Sequence, residues 1–379
     1  MRRIALQLAL VLLPLLGMAQ QSAAVDSLSE VPQSEAAQPE SEAHADAHAE
    51  SKGGFDPASF IFDHIGDSHE WHICTVNDVH ISIPLPVILY SERTGLHLFS
   101  SHRLQHGHSY DGFRLATEAP YEGKIVELDA SGQIDAQHPT PWDFSITKNV
   151  ATIFIVGLLL CWVFLSVARS YKQNLGKAPS GLQNAMEVII LFVRNDVAIP
   201  SLGEHNAQRF MPFLLTLFFF ILFSNLLGLV PIFPGGANLT GNIAITMVLA
   251  IFSFLTINLN GNKHYWVDII NTPGVPWYMK VPVPIMPVVE IAGVFIKPTV
   301  LMIRLFANIL AGHMIAMVFM ALIFIFGAMH YMLGYMVAPV SLAFSLFMSA
   351  LELLVAFIQA FVFTMLSAVY IGMATSGGH

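Results

Sequence analysis

The sequence predicts an all-α polytopic membrane protein, with about five membrane-embedded helices, one interfacial amphipathic helix and a small exported α+β or β-rich domain at the N-terminal end. Hydrophobic residues make up 55% of the 379, charged residues only 11%, and the mean hydropathy is +0.62, which places the chain in the membrane class. Two apolar stretches, 287–328 and 332–373, far exceed the roughly 20 residues that cross a bilayer. Charge is split: residues 20–147 hold 20 acids and 5 bases, whereas residues 148–379 hold 6 acids and 10 bases. The overall acidity, net −9, therefore comes from the N-terminal part, since residues 148–379 are net positive.

Residues 1–19 carry Arg2 and Arg3, an apolar run and Gly17-Met18-Ala19 as a small-x-small cleavage site. That pattern reads as a secretory signal, with an uncleaved anchor as the alternative; either way the following segment is delivered outside the cytoplasm. Residues 20–52 are Ala, Ser, Glu, Gln and His with almost no large apolar side chain, too little to offset the entropy of ordering, so a disordered linker is expected.

Residues 53–145 form the expected exported domain. Its first part, 55–73, reads as a short amphipathic helix, and VHISIPLPVILYS, GLHLFSS, DGFRLAT and KIVELDA read as short strands between Gly and Asn/Asp turns. Cys74 is its single cysteine, and Cys161 lies in an apolar run, so no intrachain disulfide is expected within it. Its histidines raise metal capture, but none of their spacings matches a zinc pattern, and scattered surface histidines are the simpler reading.

The membrane domain, 146–379, opens with an apolar run at 146–167 followed by Arg169, Lys172 and Lys177. With the preceding domain exported, those bases fall on the cytoplasmic side, as the positive-inside rule expects. Residues 180–204 interleave Glu187, Arg194, Asn195 and Asp196 with large apolar residues, which suits a helix lying along the interface. Spans follow at 210–230, which carries Asn225, and at 242–259, before a loop with Lys263 and Lys280. Each of the last two stretches could be two spans or one long tilted helix; with no polar break near either middle, two long helices in an antiparallel hairpin are expected.

Arg304 stands inside the first long stretch. An arginine costs about 2.5–3.5 kcal/mol at a bilayer midplane even on lenient scales, and a guanidinium keeps its proton at any physiological pH. Glu290, Lys297 and Arg304 recur every seven residues, and Asn308 extends this polar stripe. Glu290 lies roughly 21 Å from Arg304 along such a helix, leaving Glu352 or a carboxylate on another protein as the counter-ion. With a turn near residue 330, facing residues have numbers summing to about 660; Asn308 then lies level with Glu352, His313 near it, and Arg304 near Gln359. Glu352, Gln359 and Tyr370 form a second stripe, so two polar stripes meet inside the membrane.

The segments LMIRLFANILAGH and ALELLVAFIQAFVFTMLSAVYIGMA, supported by PSGLQNAMEVIILFVRN, RFMPFLLTLFFFILFSNLLGLVP, GNIAITMVLA and MPVVEIAGVFIKP, resemble subunit a of the F-type ATP synthase membrane sector across about 145–375. The resemblance does not extend to the linker, and the exported domain matches the usual pattern poorly. It implies that Arg304 is the stator arginine facing the ring of c subunits, with Asn308 and Gln359 as polar neighbours. His313 and Glu352 match a coupled pair on the proton path; some relatives have the acid on the first helix and the histidine on the second, the reverse of this chain. Glu290 and Lys297 match positions near the cytoplasmic exit, and Asn225 a polar residue of the outward half-channel, where Gly228 replaces an acid carried by some relatives.

The implied setting is the bacterial inner membrane, with a periplasmic N-terminal domain, a cytoplasmic C-terminus, the c-ring and the b-subunit peripheral stalk as partners, and no cofactor or nucleic acid. The chain has no phosphate-binding Gly-rich loop or Walker lysine, so ATP chemistry is expected elsewhere in the complex. Several simpler readings stay open. Lys297 and Glu290 could snorkel to lipid, Asn308 and Gln359 could be interhelical glue, and Tyr370 an interfacial aromatic. A histidine-rich metal transporter, sodium as the coupling ion, and a non-transporting assembly protein are the competing functions.

Overall fold

The computed structural model describes residues 66–76, 79–116, 121, 123–129, 132–135, 139–173, 178–230, 235–270 and 285–375. The expected signal, linker and most of the amphipathic helix at 55–73 lie outside them. The remainder of that helix is a strand. Glu70–Val76 (β1) pairs antiparallel with Val79–Pro84 (β2), with Trp71 opposite Ile83. Trp71 is buried, and a cross-strand ladder of this length outweighs the local helical periodicity.

Beyond β1 and β2 the described residues of the N-terminal part form short antiparallel pieces. Pro86–Ser91 (β3) is the centre of a three-stranded sheet, flanked by Gly95–Ser100 (β4) and, after the short pair Phe113–Leu115 (β5) and Ile125–Glu127 (β6), by Trp142–Asp143 (β7). The alternation in β3 buries Val87 and Leu89, which pack with Phe99, Leu104, Phe113 and Ile125 in one small core. This is a strand pattern with one face buried and the other outward.

Among the described residues seven helices follow. Lys148–Gln173 (α1) is the first span. Leu182–Phe192 (α2) runs through a π-helical turn, Val193–Ala198, into Ile199–Leu229 (α3), which is broken at Gly203 (φ 74°, ψ 162°). That positive φ is open to glycine and strained for other residues, so the expected interfacial helix ends and the span begins there. Ile243–Leu259 (α4) starts on Asn242, whose side chain accepts from the Ala244 N–H as an N-cap. It meets the short Lys263–Ile270 (α5) at a bend of 107° between their axes.

The last two helices are single and very long: Ile285–Met329 (α6) and Tyr331–Thr375 (α7), each of 45 residues, with Pro298 and Pro339 inside them. Among the described residues four helices are long and apolar enough to cross a membrane, and a fifth span is added if the bent α4–α5 pair is counted.

Packing follows membrane rules, in which small residues let backbones approach. The buried face of α7 holds the small residues Ala356, Ala360, Thr364, Ser367, Ala368, Gly372 and Ala374 beside Phe363 and Ile371, set against α3 and its Phe218–Phe220 cluster. A Cβ added at Gly372 would lie 2.1 Å from the Ser201 carbonyl oxygen, so glycine is required there. Ser253 of α4 and Ser367 of α7 approach to 3.3 Å, and α6 packs against both α4 and α7.

The hairpin register departs from the expected one. Gly334 meets Gly327 near the turn, Phe319 stacks on Phe344, His313 meets Glu352, and Lys297 lies over Tyr370. The sums of these numbers drift from 661 to 667 away from the turn. The two helices are therefore not exact mirror tracks: close Gly-to-Gly contact fixes the turn, and larger side chains set the offset further down.

Candidate functional site

α6 presents two stripes side by side. Leu301, Leu305 and Ile309 are buried against the bundle, while Arg304 and Asn308, one position before Leu305 and Ile309, are exposed. Among the described residues no carboxylate lies within 4.0 Å of the Arg304 guanidinium, Glu352 included. Glu352 instead faces His313, with Oε1 3.4 Å from Nδ1 and side chains 7% and 14% exposed. The open choice of counter-ion is thereby narrowed: Glu352 belongs to the histidine, and Arg304 points outward.

One turn along α7 from Glu352, the Ala356 carbonyl accepts a hydrogen bond from Asn225 Nδ2 at 3.3 Å, and Asn225 Oδ1 accepts from the Thr240 hydroxyl at 2.5 Å. Gln359, a further turn down, is also buried. The structure thus gathers Asn225, His313, Glu352 and Gln359 on facing helices. It adds Thr240, missed in the sequence because the Ala237–Asn242 loop reads only as a turn; Asn238, Thr240 and Asn242 close together between two apolar spans were the available signal. Ser224 Oγ, Thr364 Oγ1 and Asn238 Nδ2 are buried with no hydrogen-bond partner among the described residues. Each such group costs roughly 1–3 kcal/mol in a dry interior, so these positions suit bound water.

A second polar group lies at the opposite end of the bundle. Lys297 Nζ sits 5.3 Å from the centroid of the Tyr370 ring, in a cleft also lined by Phe254, Asn258, Tyr265 and Met373. Asn262 closes this end by donating to the carbonyls of Ala374 and Thr375. Glu290, half-buried, is two turns before Lys297 on α6. Along the helix Arg304 lies about 10 Å from Lys297 and about 14 Å from His313. Gly228 is covered by the loop after α3, the Ala237 carbonyl oxygen lying 3.4 Å from where a Cβ would be.

The fold and this arrangement define a multi-pass membrane protein whose ionisable residues lie inside its longest helical hairpin, the usual mark of an ion path. Residues 150–372 match the ATP synthase A chain family, and residues 60–144 match a domain of unknown function (DUF8433). The chain belongs to the ATP synthase A chain family. It is 43% identical over 242 residues to ATP synthase subunit a of Chloroherpeton thalassium, covering 62% of this chain and 68% of that one. It is 39% identical over 276 residues to ATP synthase subunit a 2 of Chlorobaculum tepidum, covering 71% and 72%. With ATP synthase subunit a of Myxococcus xanthus the identity is 40% over 241 residues, covering 62% and 75%.

Proposed function

We propose that this chain is the proton-translocating stator subunit of an F-type ATP synthase, non-catalytic in itself, with Arg304 as the fixed charge past which the carboxylates of the c-ring turn. The supporting observation is the position of Arg304: exposed, without a carboxylate in reach among the described residues, and lying between two polar groups at opposite ends of the bundle. In this reading the Asn225–Thr240–Glu352–His313 group lines the path from the outer side. Glu290, Lys297 and Tyr370 line the path to the cytoplasm. Arg304, Asn308 and Gln359 stand between them.

The physics of the step is brief. A rotor carboxylate facing lipid is held neutral, because an ionised one there costs several kcal/mol. Opposite Arg304 the fixed positive charge favours its ionisation, so the proton leaves into one path and the carboxylate is reloaded from the other. Glu352 and His313 can relay that proton, since imidazole is the side chain that changes charge near neutral pH. A guanidinium does not release its own proton, so Arg304 also blocks direct leakage. The field supplies about 2.3 kcal/mol per charge per 100 mV. Proton rather than sodium, the b-subunit stalk as second neighbour, and a periplasmic N-terminal domain with a cytoplasmic C-terminus complete the proposal.

The test of the rotor face is photo-crosslinking in the assembled complex. A benzophenone is attached at Ala307→Cys, on the exposed face beside Asn308, with Cys74 and Cys161 replaced by serine. An adduct with the ring subunit is expected; adducts only with lipid or with other chains would contradict the assignment.

A further inference from the structure

The outer face of the three-stranded sheet carries two apolar rows that nothing in the proposed ion path uses. Leu98, Ile88 and Phe144 form the first row across β4, β3 and the chain after β7; Leu96, Tyr90 and Trp142 form the second. Leu96, Leu98 and Trp142 are 70%, 71% and 64% exposed, and Tyr90 and Phe144 are also exposed. No ionisable group apart from the Tyr90 phenol belongs to either row, and a contiguous apolar face of this kind marks a contact surface.

What identifies the contact is how the sheet joins α1. Phe144 is four residues before Lys148, at most about 14 Å of extended chain. The join is also tied: the Phe144 and Ile146 N–H groups donate to the Ile88 and Pro86 carbonyls, and the Lys148 N–H to the Ser68 carbonyl. Asp67 caps the helix by accepting from the Asn149 N–H at 3.1 Å. Lys148, Asn149 and Val150 are buried under these contacts, so the sheet sits directly on the end of a membrane-spanning helix with no free linker between them. α1 itself shows Phe154, Leu158 and Trp162 on one exposed apolar face. Tryptophan and tyrosine beside apolar residues at this level are the composition of a membrane interface.

We infer that the sheet lies on the membrane surface at the entry of α1, with the Leu96–Tyr90–Trp142 and Leu98–Ile88–Phe144 rows inserted among lipid headgroups and upper acyl chains. The contact is apolar, so it does not depend on anionic lipid or on salt. It rests on α1 being a span, and not on the ion path or the direction of the chain.

The test places an environment-sensitive NBD fluorophore at Leu98→Cys or Leu96→Cys, with Cys74 and Cys161 replaced by serine, in the whole complex reconstituted into phosphatidylcholine vesicles. Gln133→Cys, an exposed turn residue, is the control. Blue-shifted emission at both positions, quenched at least about twofold by phosphatidylcholine spin-labelled high on its acyl chain and more strongly at 98, is expected for insertion of this depth; position 133 stays in water and unquenched. Water-like emission at 98 would overturn the inference. So would blue-shifted emission that the spin-labelled lipid fails to quench, because the face would then be covered by protein.

Discussion

Arg304 and Glu352 are a residue-scale lesson in reading charge inside a membrane. Counting acids leaves Glu352 as the one counter-ion within the chain, yet the structure gives it to His313, because the drifted hairpin register brings residue 313, and not Arg304, to its level. In the proposed relay the two groups matter as a pair, and not by which helix holds which member. Glu352→Gln or His313→Ala alone should therefore lower ATP-driven proton pumping at least about tenfold, the equivalent of about 1.4 kcal/mol in the rate-limiting barrier. The exchange His313→Glu with Glu352→His should recover a measurable part of it. Pumping in inverted vesicles, with assembly checked, reads both outcomes; an exchange no better than the worse single variant would count against a relay.

For the elements, the long hairpin was legible because two apolar stretches far exceed one span and neither has a polar break near its middle. The site's stripe on α6 was legible through its seven-residue recurrence. Three features were not. The strand at Glu70–Val76 depends on a partner ten or more residues away for the half of its ladder that the helical periodicity covered, the π-helical turn at Val193–Ala198 has no residue signature, and the register offset depends on side-chain volumes across two helices. Gly372 shows how tightly those volumes are set. Gly372→Ala places a methyl 2.1 Å from the Ser201 carbonyl oxygen, and a loss of about 1–3 kcal/mol is expected for forced overpacking. Gly312→Ala, whose methyl would stand 3.6 Å from Glu352 Cγ, should be tolerated. Thermal unfolding of the two variants in detergent separates them; equal stabilities would mean that α3 and α7 are not in this contact.

At the scale of the whole molecule, a polar contact that responds to pH ties β7 to the chain just before β1, close to where the N-terminal part enters α1. Burial pushes the Asp143 carboxyl up, but the hydrogen bond and charge of His69, 2.7 Å away, and the Ser145 hydroxyl and N–H more than offset it, leaving Asp143 below the ordinary carboxylate range. A depressed carboxylate stabilises the fold above its unfolded value and loses that contribution as pH falls through the folded one. The Tm difference between wild type and Asp143→Asn should hold above about pH 5 and close below about pH 3. A difference independent of pH would show that the carboxylate's charge plays no part.

The polar group around Asn225 was the least legible part of the site, since Asn225 could be placed by resemblance but its partners Thr240 and the Ala356 carbonyl come from a loop and a backbone that sequence does not locate. Under the proposed function Arg304 is a fixed charge that gates ions, and not a docking residue. The most direct measurement is ATP-driven proton pumping in inverted vesicles by wild type, Arg304→Ala and Arg304→Lys, with equal assembly of the chain with its ring confirmed. Loss of pumping to background in both variants is predicted, because a lysine is a compact charge that can lose its proton where a guanidinium cannot. Pumping that persists in Arg304→Lys would favour the docking role, and pumping that persists in Arg304→Ala would contradict the channel assignment altogether.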